Sequence, residues 1–191
     1  MKTNVKFLSL AFVMMVMSFG LKAQITGDIT ASAEVQTALT LTKDVDIDFG
    51  TISATTPGVV TLDPTGAASA NVGTSATVGK FTIGGGDNAS VKITWPASVN
   101  LVGTNNPTNE MVYSVLVHGN TTDDAAGSAS LGAVGVATTA DVNLSSPDGD
   151  YFLYVGGNLA PKGTAAGAGA ALNSQGVDTY AATLTFQLEY N

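Results

Sequence analysis

The chain is expected to fold as an all-β, immunoglobulin-like antiparallel β-sandwich. Three observations predict it. Apolar and polar residues alternate with a period of two along most of the length, which places successive side chains on opposite faces of strands. Glycine is abundant, with 22 residues, and short strand-like runs end at Gly/Pro/Asp turn signals. No amphipathic helical period follows the first twenty-odd residues. Many short strands without helices point to two packed sheets. A closed barrel is the alternative, and an outer-membrane barrel is disfavoured by the missing aromatic girdles.

The first element is not expected to belong to the fold. Lys2 and Lys6 precede an apolar run from Phe7 to Phe19, and a small residue, Ala23, closes the stretch. A charged start, a short apolar core and a small residue at the cut describe a secretory signal peptide, residues 1–23. The run is shorter than the roughly 20 residues that span a bilayer. Cleavage after Ala23 removes three of the 7 basic residues and none of the 15 acidic ones, leaving 4 and a net charge near −11. The expected mature protein, residues 24–191, is one secreted domain in the periplasm, at the cell surface or outside the cell, with no transmembrane helix after cleavage.

Ile25 to Leu41 is the longest alternating stretch. Ile25, Ile29, Ala31, Ala33, Val35, Leu39 and Leu41 share one parity, and polar residues fill the other. Residues 24–36 read as the first strand of the domain or as a donor to a neighbour's sheet. Asp44 to Phe49 alternates acid with apolar. Val59–Leu62 ends at the turn Asp63-Pro64-Thr65-Gly66, and Lys80–Ile83 ends in Gly84-Gly85-Gly86. Val91, Ile93 and Trp95 alternate before Pro96 stops the strand. Met111–Val117 and Tyr151–Val155 are β-branched and aromatic. Thr121–Thr139 and Gly156–Gly176 are poor in large apolar groups and read as long loops or weak edge hairpins. The last strand carries Tyr180, Ala182, Leu184, Phe186, Leu188 and Tyr190 on one face.

Composition excludes several chemistries. There is no cysteine, so no disulfide frame, thiolate metal site or cysteine nucleophile. One histidine cannot build a multi-histidine metal centre. A net charge of −8 and the absence of arginine argue against nucleic acid and against an anion clamp. Asp44, Asp46 and Asp48 have the start of a calcium-loop spacing, but Phe49 stands where that loop needs glycine and Thr55 where it needs glutamate. They read as a solvated strand face that discourages edge pairing. His118 stands alone at a strand end, without a nucleophile-elbow motif around any serine, so an enzyme is not expected. The Gly167–Ala171 run lacks the Lys-Ser/Thr of a phosphate loop and reads as flexible. No cofactor is expected.

Short motifs follow one another from Ile29-Thr30-Ala31-Ser32-Ala33 through Leu39, Asp48-Phe49-Gly50-Thr51-Ile52 and Gly58-Val59-Val60-Thr61-Leu62-Asp63-Pro64-Thr65-Gly66. They continue through Lys80-Phe81-Thr82-Ile83-Gly84-Gly85, Val91-Lys92-Ile93-Thr94-Trp95-Pro96 and Leu153-Tyr154-Val155-Gly156-Gly157-Asn158-Leu159, and end at Leu184 to Asn191. Their order resembles the secreted bacterial domain-of-unknown-function family 4402 (DUF4402). The chain departs from it at Tyr180-Ala181-Ala182, where a glycine usually follows the tyrosine, and in a long Ala/Gly insertion before that point. The resemblance implies a Gram-negative envelope or extracellular β-sandwich, distantly like pilin and spore-coat subunits, with no assigned activity. On that basis the partners are other copies of the chain or a periplasmic chaperone. The candidate strand-exchange residues are Ile29, Ala31, Ala33 and Val35 as donor, and Leu184, Phe186, Leu188 and Tyr190 as lining. Both end strands pairing inside their own sandwich is the competing expectation. The alternative function is a carbohydrate- or protein-binding module using Trp95, Tyr113 or Tyr151, should those rings face solvent.

Overall fold

The computed structural model describes residues 27–191 apart from 34, 137 and 174, so the expected signal peptide lies outside the described residues. The chain divides into Met1–Val35 and a compact unit, Gln36–Asn191. The described residues are all-β, without helix, and form two antiparallel sheets. No helix among them is long and apolar enough to cross a membrane.

The strands are β1 (Thr40–Val45), β2 (Val60–Leu62), β3 (Gly79–Gly84), β4 (Ser90–Thr94), β5 (Ser98–Gly103) and β6 (Glu110–Asn120). They continue with β7 (Ala129–Ser130), β8 (Thr139–Asn143), β9 (Asp150–Pro161), β10 (Tyr180–Ala181) and β11 (Gln187–Tyr190). The large sheet runs β1-β3-β9-β6-β5-β10, with β2 added to β9 and β7 to β6; the small sheet runs β11-β4-β8. Odd residues of β6 and β9 face inward, and Val115, Val117, Leu153 and Val155 are fully buried against Val91 and Ile93 of the small sheet. Each such side chain contributes about 1.5–3 kcal/mol relative to exposure.

β9 is the axis of the large sheet. One edge pairs with β6 along ten residues, Met111↔Pro161 to Asn120↔Phe152. The other edge is shared: Asp150–Val155 pair with β3, and Gly157–Leu159 with β2. Gly156 falls between the two partners. A Cβ there would strike the Leu62 carbonyl, and one on Gly157 would strike the Ser114 carbonyl, each inside 3.0 Å. Gly157 also has φ +140, a region that residues with a Cβ avoid. Gly156 and Gly157, expected to open a long loop, therefore lie mid-strand because glycine lets β9 pass from one partner to the next. The buried Tyr113 hydroxyl donates to the Gly156 carbonyl at 2.7 Å and fixes the junction.

Three further elements differ from the expected ones. The described residues of Gly27–Leu39 form no strand, and Ile29 and Val35 are 96% and 95% exposed. Alternation makes a strand only where a sheet edge supplies hydrogen bonds, and Ala31 and Ala33 bury little area to offset ordering. The last strand is split, with β10 paired to β5 and β11 paired to β4, so the chain crosses from the large sheet to the small one over residues 182–186. The Gly/Ala loop is pinned, since Gly167 N–H donates to the buried Ser114 hydroxyl at 2.9 Å.

Two predictions follow from this junction. Gly157→Ala is expected to cost more than about 3 kcal/mol, because positive φ and overlap with backbone add. Gly66→Ala, at φ +77 with open space around the position, is expected to cost about 1–2 kcal/mol. Urea denaturation of both variants checks the difference. Burial raises the Tyr113 pKa far above its ordinary 10.0. A group whose acid form is favoured by folding gives full stability below its unfolded pKa and loses it as pH rises beyond. Stability should therefore fall above about pH 10, and Tyr113→Phe should flatten that fall while costing about 1 kcal/mol at neutral pH.

Candidate functional site

The crossing of the C-terminal segment between sheets opens a groove. β10 is short because Tyr180 and Ala181 face Gly103 and Val102, after which the chain leaves β5. Ser98–Leu101 of β5 pair with β6 on one side and, among the described residues, have no strand on the other. Residues 182–186 lie in no ladder. Two runs of backbone thus lack sheet partners, and a gap of about 450 Å³ opens between Val45–Ile52 and Tyr180–Leu184. Its floor is apolar, formed by Phe81, Val99, Leu101, Met111, Tyr113 and Leu159, while Lys43, Asp46 and Asp48 also line it. Phe81, Val99, Leu101 and Leu184 are half-buried, whereas Met111, Tyr113 and Leu159 are buried. A second gap of about 410 Å³ lies between Thr94–Pro96 and Thr183–Gln187, and it shares Val99 and Thr183 with the first. Thr183 accordingly has open space on both sides.

Aromatic rings brace the groove. Phe49 meets Tyr113 edge-on with centroids 5.3 Å apart, and Phe81 lies 4.9 Å from Phe186. Such pairs add about 0.5–1.5 kcal/mol beyond area burial. Asp178 fixes the point where β10 starts. Its Oδ1 accepts the N–H groups of Asn105 and Thr179, at 3.0 and 2.8 Å, and the Asn105 side-chain amide; its Oδ2 accepts Asn106 N–H at 2.8 Å. These donors, led by Asn105 N–H, hold its pKa down to about 2. Gly103 leaves the room that this carboxylate needs.

The sequence-derived residues occupy different places. Ile29, Ala31, Ala33 and Val35 are exposed. Leu184 lines the groove, and Phe186 is buried beside Phe81. Leu188 and Tyr190 pair with Ile93 and Val91 in the small sheet. The Tyr190 hydroxyl accepts Gly86 N–H at 2.9 Å and donates to the Thr37 carbonyl. Trp95, Tyr113 and Tyr151 are buried, at 3%, 2% and 8% exposure, so they form no solvent-facing platform.

His118 lies within β6, opposite Tyr154 of β9 and Ser130 of β7, because β9 extends the ladder to Asn120. Its Nδ1 is 3.4 Å from the Ser128 hydroxyl, which donates to the Ala125 carbonyl at 2.6 Å. Asp44, Asp46 and Asp48 have separate partners: the Thr82 hydroxyl, Lys43 and Gly50 N–H. No group of three or more His, Asp or Glu among the described residues is placed to hold a metal ion.

Residues 39–190 match the family model described as a domain of unknown function, DUF4402. The match covers most of the chain, and the chain belongs to that family. No curated protein matches it.

Asp178 generates a prediction at the start of β10. A carboxylate whose pKa is lowered by folding adds stability above its unfolded pKa near 3.9 and loses it as pH falls through about 2. Amide hydrogen exchange at Asn105, Asn106 and Thr179 should accelerate by about tenfold in Asp178→Ala at neutral pH. The same three amides should lose protection in the native sequence as pH drops toward 2, after correction for intrinsic rates.

Proposed function

We propose that this member of the DUF4402 family is a secreted, non-enzymatic structural protein of the bacterial surface, a pilus-like or coat subunit assembled by strand addition. The observation that carries the reading is a groove with an apolar floor, flanked by two runs of backbone without sheet partners among the described residues. A strand laid there would gain main-chain hydrogen bonds along its length and side-chain pockets at alternate positions. Each large apolar side chain so buried contributes about 1.5–3 kcal/mol. The occupant in this reading is another copy of the chain, with a periplasmic chaperone able to use the same edges beforehand. The acidic, cysteine-free composition suits a repeated outer subunit that depends on its own core and on neighbours rather than on disulfides. The binding-module alternative loses its aromatic candidates to the core.

Light scattering on residues 24–191 beside a chain that starts at Thr37 tests the reading. The longer chain should form assemblies larger than a monomer. The shorter one, which retains both sheets, should stay folded and monomeric. A monomeric longer chain together with an unfolded shorter one would overturn strand addition, because the N-terminal segment would then belong to its own sandwich.

A further inference from the structure

Two stretches alternate like strands in sequence, yet the described residues of Gly27–Val35 and residues 182–186 lie in no ladder. We propose that they are each other's partners across copies, the first stretch of one chain lying along the second stretch of the next. The inference rests on the strand-addition reading and names the segment that fills the groove.

Parity supports the pairing. On the C-terminal stretch Leu184 and Phe186 turn inward, while Thr183 and Thr185 are exposed. On the N-terminal stretch Ile29, Ala31, Ala33 and Val35 share one parity, and Asp28, Thr30 and Ser32 share the other. With the apolar parities of both facing the core, threonines and serine stand opposite threonines on the outer face, a favourable cross-strand match. Ile29 and Val35 are six residues apart, about 20 Å along a strand, which exceeds the roughly 13 Å spanned by residues 182–186. With the expected cleavage after Ala23, the arm Gln24–Gln36 reaches about 43 Å when extended. That is long enough to leave its own domain and cover a neighbour's groove.

Charge opposes the contact, since Asp46 and Asp48 line the groove beside Lys43. Each copy is net negative, and among charged side chains the arm has Asp28 and Glu34 alone. Copies therefore repel at long range, and the join depends on apolar and main-chain contacts. Added salt should strengthen it. Donor and acceptor are different surfaces of one chain, so each copy offers one of each. The contact is heterologous and generates an open head-to-tail series rather than a two-fold pair.

The chain has no cysteine, which makes disulfide trapping clean. Ser32→Cys is combined in one chain with Thr185→Cys, and separately with Thr183→Cys, on residues 24–191. Oxidation and non-reducing electrophoresis should give a ladder of two, three and more linked chains with at least one of the pairs. A ladder that stops at two chains would overturn the head-to-tail order. A closed monomer would show that the arm fills its own groove and would overturn the intermolecular pairing. Absence of links in a sample still assembled by light scattering would overturn this pairing and leave strand addition standing. Absence of links in a monomeric sample would overturn both.

Mixing gives a second test. Ile29→Asp removes the arm's anchor, and Leu184→Lys blocks the groove. Each variant should be monomeric alone, and the mixture should form one-to-one dimers, since one working arm and one working groove remain. Thr183→Pro, at an exposed position outside any ladder, repeats the groove test in case Leu184→Lys does not fold. A mixture that stays monomeric with both groove variants would overturn the pairing.

Discussion

The ladder between β6 and β9 is the constraint on which the molecule depends. Every other strand of the large sheet is positioned by it. β3 and β2 attach to the free edge of β9, and β5 and β7 to the free edge of β6. One strand must therefore serve three neighbours, and a regular strand has only two edges. The solution is to divide one edge at Gly156 and Gly157, where missing side chains let Leu62 and Ser114 approach the backbone. The Tyr113 hydroxyl then satisfies the Gly156 carbonyl. Ring, glycine pair and strand change are one device, and core side chains on both sides of it, Val155 and Leu159, are buried.

Electrostatics contributes little to holding the sandwich and more to what surrounds it. The four lysines among the described residues each meet a carboxylate: Lys43 with Asp46, Lys80 with Asp123, Lys92 with Glu189 and Lys162 with Glu110. Exposed pairs of this kind are worth little individually. Lys92–Glu189 ties β4 to β11, and Lys80 also stands 5.3 Å from the Phe152 ring centroid on the outer face. Since the cations are already matched, the remaining acids set the external field. It is negative and keeps molecules apart unless short-range contacts outweigh it.

The sequence made the fold class legible because period-two alternation and Gly/Pro turns are local signals. Trp95 alternates in register with Val91 and Ile93, and all three are buried. Three things were not local. Gly156-Gly157 reads as a loop because glycine has the same appearance in a turn and at a crowded strand junction. His118 reads as a strand end because the ladder that extends β6 comes from residues over thirty positions away. The groove itself leaves no trace, since Tyr180 to Tyr190 alternates without interruption while its hydrogen-bond partners change from β5 to β4. Phe81, Val99 and Leu101 carry no local signal, because their shared role appears only when the large sheet brings β3 and β5 to one gap.

The change of sheet also explains why an opening exists at all. A strand that remained on β5 would cover Ser98–Leu101 and close the large sheet, but would leave β4 without β11. A strand wholly on β4 would abandon the anchorage at Asp178. By holding Tyr180–Ala181 to one sheet and Gln187–Tyr190 to the other, the chain ties the two layers together covalently at their edge. The five residues between cannot follow both layers at once, so their backbone pairs with neither. Phe186 packing on Phe81 limits how far the layers separate. The gap is thus a geometric consequence of lacing two sheets with one strand, and its apolar floor is the part of the core that such a lace cannot cover.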